Sequence, residues 1–268
     1  MQRLLIIFGL TVAAIAAIAA YPYIQMTDGK ILVTDGKIQF AAAESSYASW
    51  FTNITSIPKI QTTTNISMGS NFTICAWVNI PQGANIKTIV ATRTEAATQA
   101  GDFMLWFRGD NKKAQFYLYD TGFKDILSDD VFPASSWSHI AAIRDGGTIS
   151  LYVDGIQQAA TLANNQALGG NEKVLYIGNQ NESVATGYSM NGAIDDLAIY
   201  SVALASNEIY QIATTNTSLA TLGYTSGMQA YWKFNEGIGT SVADTSGNEN
   251  NGVMLNGATW TNGYVTAP

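Results

Sequence analysis

A chain of 268 residues with 47% hydrophobic and only 12% charged residues has the material for a large core, which excludes an intrinsically disordered protein. The formal charge of −7, with 13 Lys and Arg scattered against 20 Asp and Glu, excludes a nucleic-acid partner. Cys75 is the single cysteine, so neither an intrachain disulfide nor a thiolate metal site is available, and it reads as a small buried hydrophobe within Phe72–Val78.

Met1–Ala20 opens with Arg3 and then runs from Leu4 to Ala20 without a charge, ending Ala17-Ile18-Ala19. A positive start, an apolar middle and small residues at the end mark a secretory signal peptide, with cleavage after Ala19. The alternative is a retained hydrophobic helix over residues 1–24, spanning a bilayer with Arg3 inside and making the protein's only membrane contact. Gly9, Ala13 and Ala17 recur at every fourth position, a small-residue stripe through which such helices assemble. Both readings put the remainder outside the cell or on its surface. Residues 25–40 carry Thr27-Asp28-Gly29-Lys30-Ile31 and again Thr34-Asp35-Gly36-Lys37-Ile38. Two Asp-Gly turns about Ile31-Leu32-Val33 read as short strands or as a duplicated linker.

Strands dominate the chain beyond residue 70. Asn71–Asn79, Ile86–Thr92, Phe103–Arg108, Ala114–Tyr119 and Val174–Gly178 are apolar or alternating runs bounded by turn residues, and Gly109-Asp110-Asn111 joins two of them as a hairpin. The clearest stretch is Ser136–Ala159. Ile140, Ala142 and Ile149, Leu151, Val153 share one face of two runs joined at Asp145-Gly146-Gly147, and Asp154-Gly155 turns the chain again into a meander. Gly192–Tyr200 is a further strand, and Ala203–Ile209 a short helix capped near Ser201.

The order Trp137-x-His139, apolar run, Asp145-Gly-Gly147, Leu151-Tyr-Val-Asp-Gly155 resembles the laminin-G-like, concanavalin A-like lectin superfamily, and the resemblance extends over Gly36–Ile212. It implies an all-β fold, a two-sheet antiparallel jelly-roll sandwich over residues 36–268 preceded by the N-terminal hydrophobic α-helix. Trp77 then lies in the core, and a polar loop separates Gly36–Phe40 from Asn71. Met228–Trp260, with Ala230-Tyr-Trp-Lys-Phe-Asn-Glu236 and Asp244-Thr-Ser-Gly-Asn248, resembles the family's first strand and first loop, displaced here to the segment 228–268. In a circular permutation Tyr231–Phe234 folds back beside Ile194–Ile199. In the other reading the strand is donated to a neighbouring molecule, which head to tail builds a filament.

Catalysis has little to draw on. His139 is the only histidine, and the resemblance places it in a packed strand. A glycosidase wants two carboxylates facing one cleft, whereas Asp195 and Asp196 are adjacent and on a strand point to opposite faces. No enzyme is expected, with a glycoside hydrolase the remote alternative. Asp244, Ser246, Asn248 and Asn250 set oxygen atoms at alternate positions like the first half of a calcium loop, with Asp195 as a further carboxylate; Leu255 stands where a bidentate acid would be. The competing reading is a set of Asx turns. Calcium is the one cofactor expected. Asn53, Asn65, Asn71, Asn181 and Asn216 each begin a glycosylation tripeptide. Trp50, Phe51, Trp106 and Tyr188 are candidate sugar-stacking rings, and Tyr231, Trp232 and Phe234 join Gly9, Ala13 and Ala17 as candidate assembly residues. The resemblance implies binding to glycans or cell-surface proteins, and adhesion; the small-residue stripe and the displaced strand add the expectation of a non-catalytic structural or adhesive protein, extracellular or at the cell surface, that can self-associate as a surface-filament (pilin-like) subunit. A freely secreted monomeric lectin-like module is the alternative.

Overall fold

The computed structural model describes residues 31–34, 37–40, 47–51, 57–81, 83, 85–92, 100–165, 168–181, 186–215, 219 and 221–264. The N-terminal segment with Gly9, Ala13 and Ala17, and the sequon residues Asn53 and Asn216, lie outside the described residues. Among the described residues no helix is long and apolar enough to cross a membrane.

The chain divides into two units, residues 1–45 and 46–268. In the first, β1 (Ile31–Thr34) and β2 (Lys37–Phe40) pair antiparallel, Ile31 opposite Phe40 and Thr34 opposite Lys37, so this repeated segment does form short strands.

The second unit is a sandwich of two eight-stranded antiparallel sheets. The first sheet is built from β3 (Tyr47–Phe51), β5 (Phe72–Asn79), β10 (Trp137–Asp145), β11 (Thr148–Val153), β12 (Ile156–Ala163), β14 (Gly192–Tyr200), β15 (Met228–Trp232) and β18 (Thr259–Asn262), in the order β12-β11-β10-β5-β14-β3-β18 with β15 also on β14. The second contains β4 (Lys59–Ser67), β6 (Lys87–Ala91), β7 (Phe103–Arg108), β8 (Lys113–Tyr119), β9 (Phe123–Leu127), β13 (Gly169–Ile177), β16 (Ser241–Val242) and β17 (Gly252–Leu255), in the order β16-β17-β4-β13-β6-β7-β8-β9. Period-two alternation decides which side chains meet. Phe72, Ile74, Ala76 and Val78 of β5 and Ile140 and Ala142 of β10 pack in one core against Phe103, Leu105, Phe107, Phe116 and Leu118 of the opposite sheet.

Several expectations change here. Residues 47–51 and 59–67 are strands rather than a polar loop; β4 is polar in sequence, but its Thr62 hydroxyl accepts from the Leu175 N–H at 2.9 Å, and Ile60 and Ile66 supply its core contacts. Helix α1 (Ser206–Thr214) starts later than Ser201, because that hydroxyl donates to Gly227 C=O while Val202 and Leu204 are tied to the Thr73 hydroxyl. The cap is instead the Glu208 carboxylate accepting from the Ala205 N–H at 2.7 Å. Ile209 and Ile212 of α1 cover Cys75, Ala141, Tyr200 and Tyr231 on the outward face of the first sheet. Burial pushes the Cys75 thiol up to about 12, as befits a packed hydrophobe.

Residues 228–262 serve both sheets. β15 pairs with β14 of the same chain, Leu197 opposite Trp232 and Ile199 opposite Ala230, while β17 pairs with β4 and β18 with β3. Tyr231, Trp232 and Phe234, expected at an assembly surface, are buried within their own chain: Trp232 and Phe234 in the inter-sheet core and Tyr231 beneath α1.

Candidate functional site

The outward face of the second sheet carries the site. Along β7 the core takes Phe103, Leu105 and Phe107, which turns Met104 and Trp106 outward; along β8 it takes Ala114, Phe116 and Leu118, which turns Gln115, Tyr117 and Tyr119 the same way. Register then brings them together: Trp106 lies opposite Gln115 and Met104 opposite Tyr117, while Tyr117 lies opposite Asp125 and Tyr119 opposite Phe123 of β9. Tyr188, from the 3-10 turn Thr186–Tyr188, closes the row from the β6 side.

Five rings follow one another. Tyr188 stacks on Trp106 at 6.0 Å between centres, Trp106 meets Tyr117 at 5.4 Å, Tyr117 meets Phe123 at 5.0 Å, and Tyr119 flanks Phe123 at 5.1 Å. Trp106 is only 8% exposed, so it is the fixed base of the row, whereas Phe123 is 62% exposed and Tyr117, Tyr119 and Tyr188 are half-buried. The Trp106 indole N–H donates to Gln115 Oε1 at 2.6 Å, and Gln115 Nε2 donates to Asp125 Oδ2 at 2.6 Å, so one amide is oriented between ring and carboxylate. Arg108 is clamped by both oxygens of Asp110, whose hydrogen bond from Arg108 holds its carboxyl below the usual range. Lys124 pairs with Asp120 at 2.7 Å. Lys113, opposite Arg108 at the end of β8, has no ion-pair partner among the described residues. Exposed apolar faces beside oriented polar groups can take a ring that is hydrophobic on one side and hydroxylated at its rim.

Of the four rings expected to stack on a ligand, Trp106 and Tyr188 are here. Phe51 is not, because it is fully buried in the core beneath Gly178, and half-buried Trp50 sits on β3 opposite Ala193 and Thr259 in the other sheet. Tyr117, Tyr119, Phe123, Gln115 and Asp125 escape a reading of the sequence; outward alternation along β8 puts Gln115, Tyr117 and Tyr119 on one face, but only cross-strand register joins them to Trp106, Phe123 and Asp125.

A second polar cluster lies outward on the first sheet. Trp77 is 7% exposed but faces away from the inter-sheet core, covered by Tyr264, whose ring stacks on it at 3.8 Å and whose N–H donates to Asp195 Oδ2 at 2.7 Å. His139 meets Trp77 edge-on at 5.3 Å, its backbone N–H donates to Asp154, and its Nδ1 has no hydrogen-bond partner. Burial holds the imidazole neutral, down to about 3, and burial with the charge of Asp196 pushes Asp195 up to about 8. The expectation that Asp195 and Asp196 point to opposite faces fails. A bulge between Asp195 and Ala198, with Asp196 at φ +46°, turns both outward, and Asp196 accepts from the Tyr231 phenol at 2.5 Å. With His139 and Asp195 at 1% and 2% exposure, neither meets a substrate in this arrangement.

The Asp244 loop is a hydrogen-bonded scaffold. Asp244 Oδ1 accepts from the N–H groups of Tyr231 and Ser246, and Oδ2 from the Ser246 hydroxyl and the Asn250 N–H. Asn248 and Asn250 donate their amides to Met228 and Gln229 carbonyls, which turns nitrogen rather than oxygen toward β15, and Asp195 is engaged elsewhere. Among the described residues no three His, Cys, Asp or Glu side chains converge, and both oxygens of Asp244 already accept N–H or O–H bonds from within the chain. Of the sequons, Asn65 is exposed, Asn71 accepts from the Gly146 N–H, and Asn181 is buried.

Two antiparallel sheets over one core, with an aromatic outward face, define a lectin-type jelly roll. Residues 55–210 match the laminin-G-type model of the concanavalin A-like lectin/glucanases superfamily, and the chain belongs to that superfamily. No curated protein matches it. Among solved structures it is similar to a Bacteroides ovatus protein whose carbohydrate binding is itself a proposal (19% identity, 82% of this chain and 60% of that one, TM-score 0.60). It is also similar to the heptameric SAP-like pentraxin of Limulus polyphemus (14% identity, 84% and 98% of the chains, TM-score 0.59). A third is domain 4 of AbnA, a GH43 extracellular arabinanase from Geobacillus stearothermophilus, in complex with arabinotriose (18% identity, 69% and 82%, TM-score 0.51). At these identities the likeness shows the fold. The chain spans 60% of the Bacteroides ovatus protein's length.

Proposed function

We propose that this protein is a non-catalytic, extracellular glycan-binding module whose binding face is the row Tyr188, Trp106, Tyr117, Phe123 and Tyr119. The observation that carries the reading is the combination of exposed ring faces with the amide of Gln115 held between Trp106 and Asp125. Stacking supplies affinity, and Gln115 and Asp125 supply orientation through a sugar's hydroxyl rim. The superfamily and the arabinotriose complex of the Geobacillus stearothermophilus domain support it. The test is an oligosaccharide array that includes arabinotriose, read with wild type, Tyr117→Ala and Phe123→Ala. Loss of an aromatic anchor is expected to weaken binding about tenfold or more. Binding unchanged in both variants sinks the reading.

A further inference from the structure

Thr88 and Asn179 are both fully buried, and both have a side-chain polar atom without a hydrogen-bond partner: the Thr88 hydroxyl and the Asn179 Nδ2. Native interiors leave few such groups, and each asks what satisfies it. Register shows where these two stand. Thr88 lies directly opposite Trp106, hence on the same outward face. The Gly178 N–H donates to Ile89 C=O at 3.0 Å; Asn179 follows the donor of that bond by one residue, and Thr88 precedes its acceptor by one. Asn179 is held there from two sides: its Oδ1 accepts from the Gln180 N–H at 2.7 Å, and Gly178 before it takes φ +82° over the Phe51 ring. The turn bearing Tyr188 packs on β6, where Thr88 sits, and stacks its ring on Trp106.

We infer that Thr88 and Asn179 form a hydroxyl-binding subsite at the Tyr188 end of the aromatic row, opened when the Tyr188 ring swings off Trp106. This rests on the glycan-binding reading and adds where a sugar is gripped rather than stacked. A hydroxyl fits the pair because it both donates and accepts: Nδ2 can only donate, so the incoming oxygen accepts from Asn179 and exchanges a second bond with Thr88. An aliphatic or aromatic ligand leaves both groups unpaired, and the site discriminates against deoxygenated sugars for that reason. Tyr188 is a half-buried ring on a three-residue turn, so its displacement is a side-chain rotation rather than a refolding.

The experiment measures Thr88→Val, Thr88→Ser and Phe123→Ala by thermal melting and on the same oligosaccharide array, arabinotriose included. Valine matches threonine in shape and removes only the unpaired hydroxyl, so the melting temperature is expected to hold or rise while affinity falls about tenfold or more; serine restores binding. If Thr88→Val binds like wild type while Phe123→Ala does not, the subsite is overturned and the pair holds a structural water only, with the glycan-binding face intact. If Phe123→Ala is also silent, or the array shows no binding at all, the face itself is wrong and the subsite falls with it.

Discussion

The ring of Tyr264 lies flat on the indole of Trp77, 3.8 Å between centres and inclined by 14°. It closes the outward face of the first sheet over two buried titratable groups of opposite tendency, and that sets a pH signature. Asp195 is pushed up from 3.8 to about 8, so between those values the folded chain holds a proton that the unfolded chain has released, and stability falls as pH rises. Asp154, also raised by burial, acts with the same sign. His139 is pushed down from 6.5 to about 3, so between those values the unfolded chain holds the extra proton, and stability falls as pH drops. The trends oppose below 6.5, and above it the decline set by the raised carboxyls is unopposed by His139. Asp195→Asn is expected to lose that decline and expose the His139 rise, in melting temperatures measured across pH 3 to 9. A variant that keeps the decline places the buried acid elsewhere.

Gly178 sits at φ +82°, and a Cβ there would lie 2.3 Å from the Phe51 ring. Gly178→Ala combines backbone strain with overpacking of a fully buried aromatic, at a cost of about 2–4 kcal/mol. Denaturant unfolding should show the midpoint drop with the slope unchanged.

The two ends of the aromatic row should respond differently. Phe123→Ala removes a ring that is 62% exposed, so stability is expected to change by about 0.5 kcal/mol or less while sugar affinity collapses. Trp106→Ala removes a buried indole together with its bond to Gln115, at a cost of about 3–5 kcal/mol, and unfolding rather than binding reports it. Equal effects at both positions would contradict the division into base and platform.

Chelation tests the Asp244 loop. Because that carboxylate already accepts N–H and O–H bonds from Tyr231, Ser246 and Asn250, melting temperatures in calcium and in EDTA should coincide. A rise of several degrees with calcium would mean that the loop rearranges around the ion.

The core strands are legible in the sequence because Phe72, Ile74, Ala76 and Val78, and likewise Ile140 and Ala142, alternate without interruption into one interior. Lys59–Ser67 is not, because a strand whose core contacts rest on Ile60 and Ile66 reads as a polar loop until its neighbours are known. β9 hides for the same reason, with Ile126 its one buried residue. At the site, Trp106 and Tyr188 can be singled out as aromatics, but Tyr117, Phe123 and Asp125 join them only through cross-strand register, which no local pattern encodes. The bulge at Asp195 and Asp196 is invisible because an aspartate at positive φ looks, in sequence, like any strand residue.

The weaving of residues 228–262 into β14, β4 and β3 also dictates a timetable. A ribosome that has delivered everything through α1 has delivered a sandwich with edges still open in both sheets, which β15, β17 and β18 close only afterwards. Such long-range pairing folds slowly, and open edges hold chaperones or invite mispairing until residues 228–262 arrive. The sandwich therefore stays unlocked until residues 228–262 have been made, and a chain that lacks them never shuts.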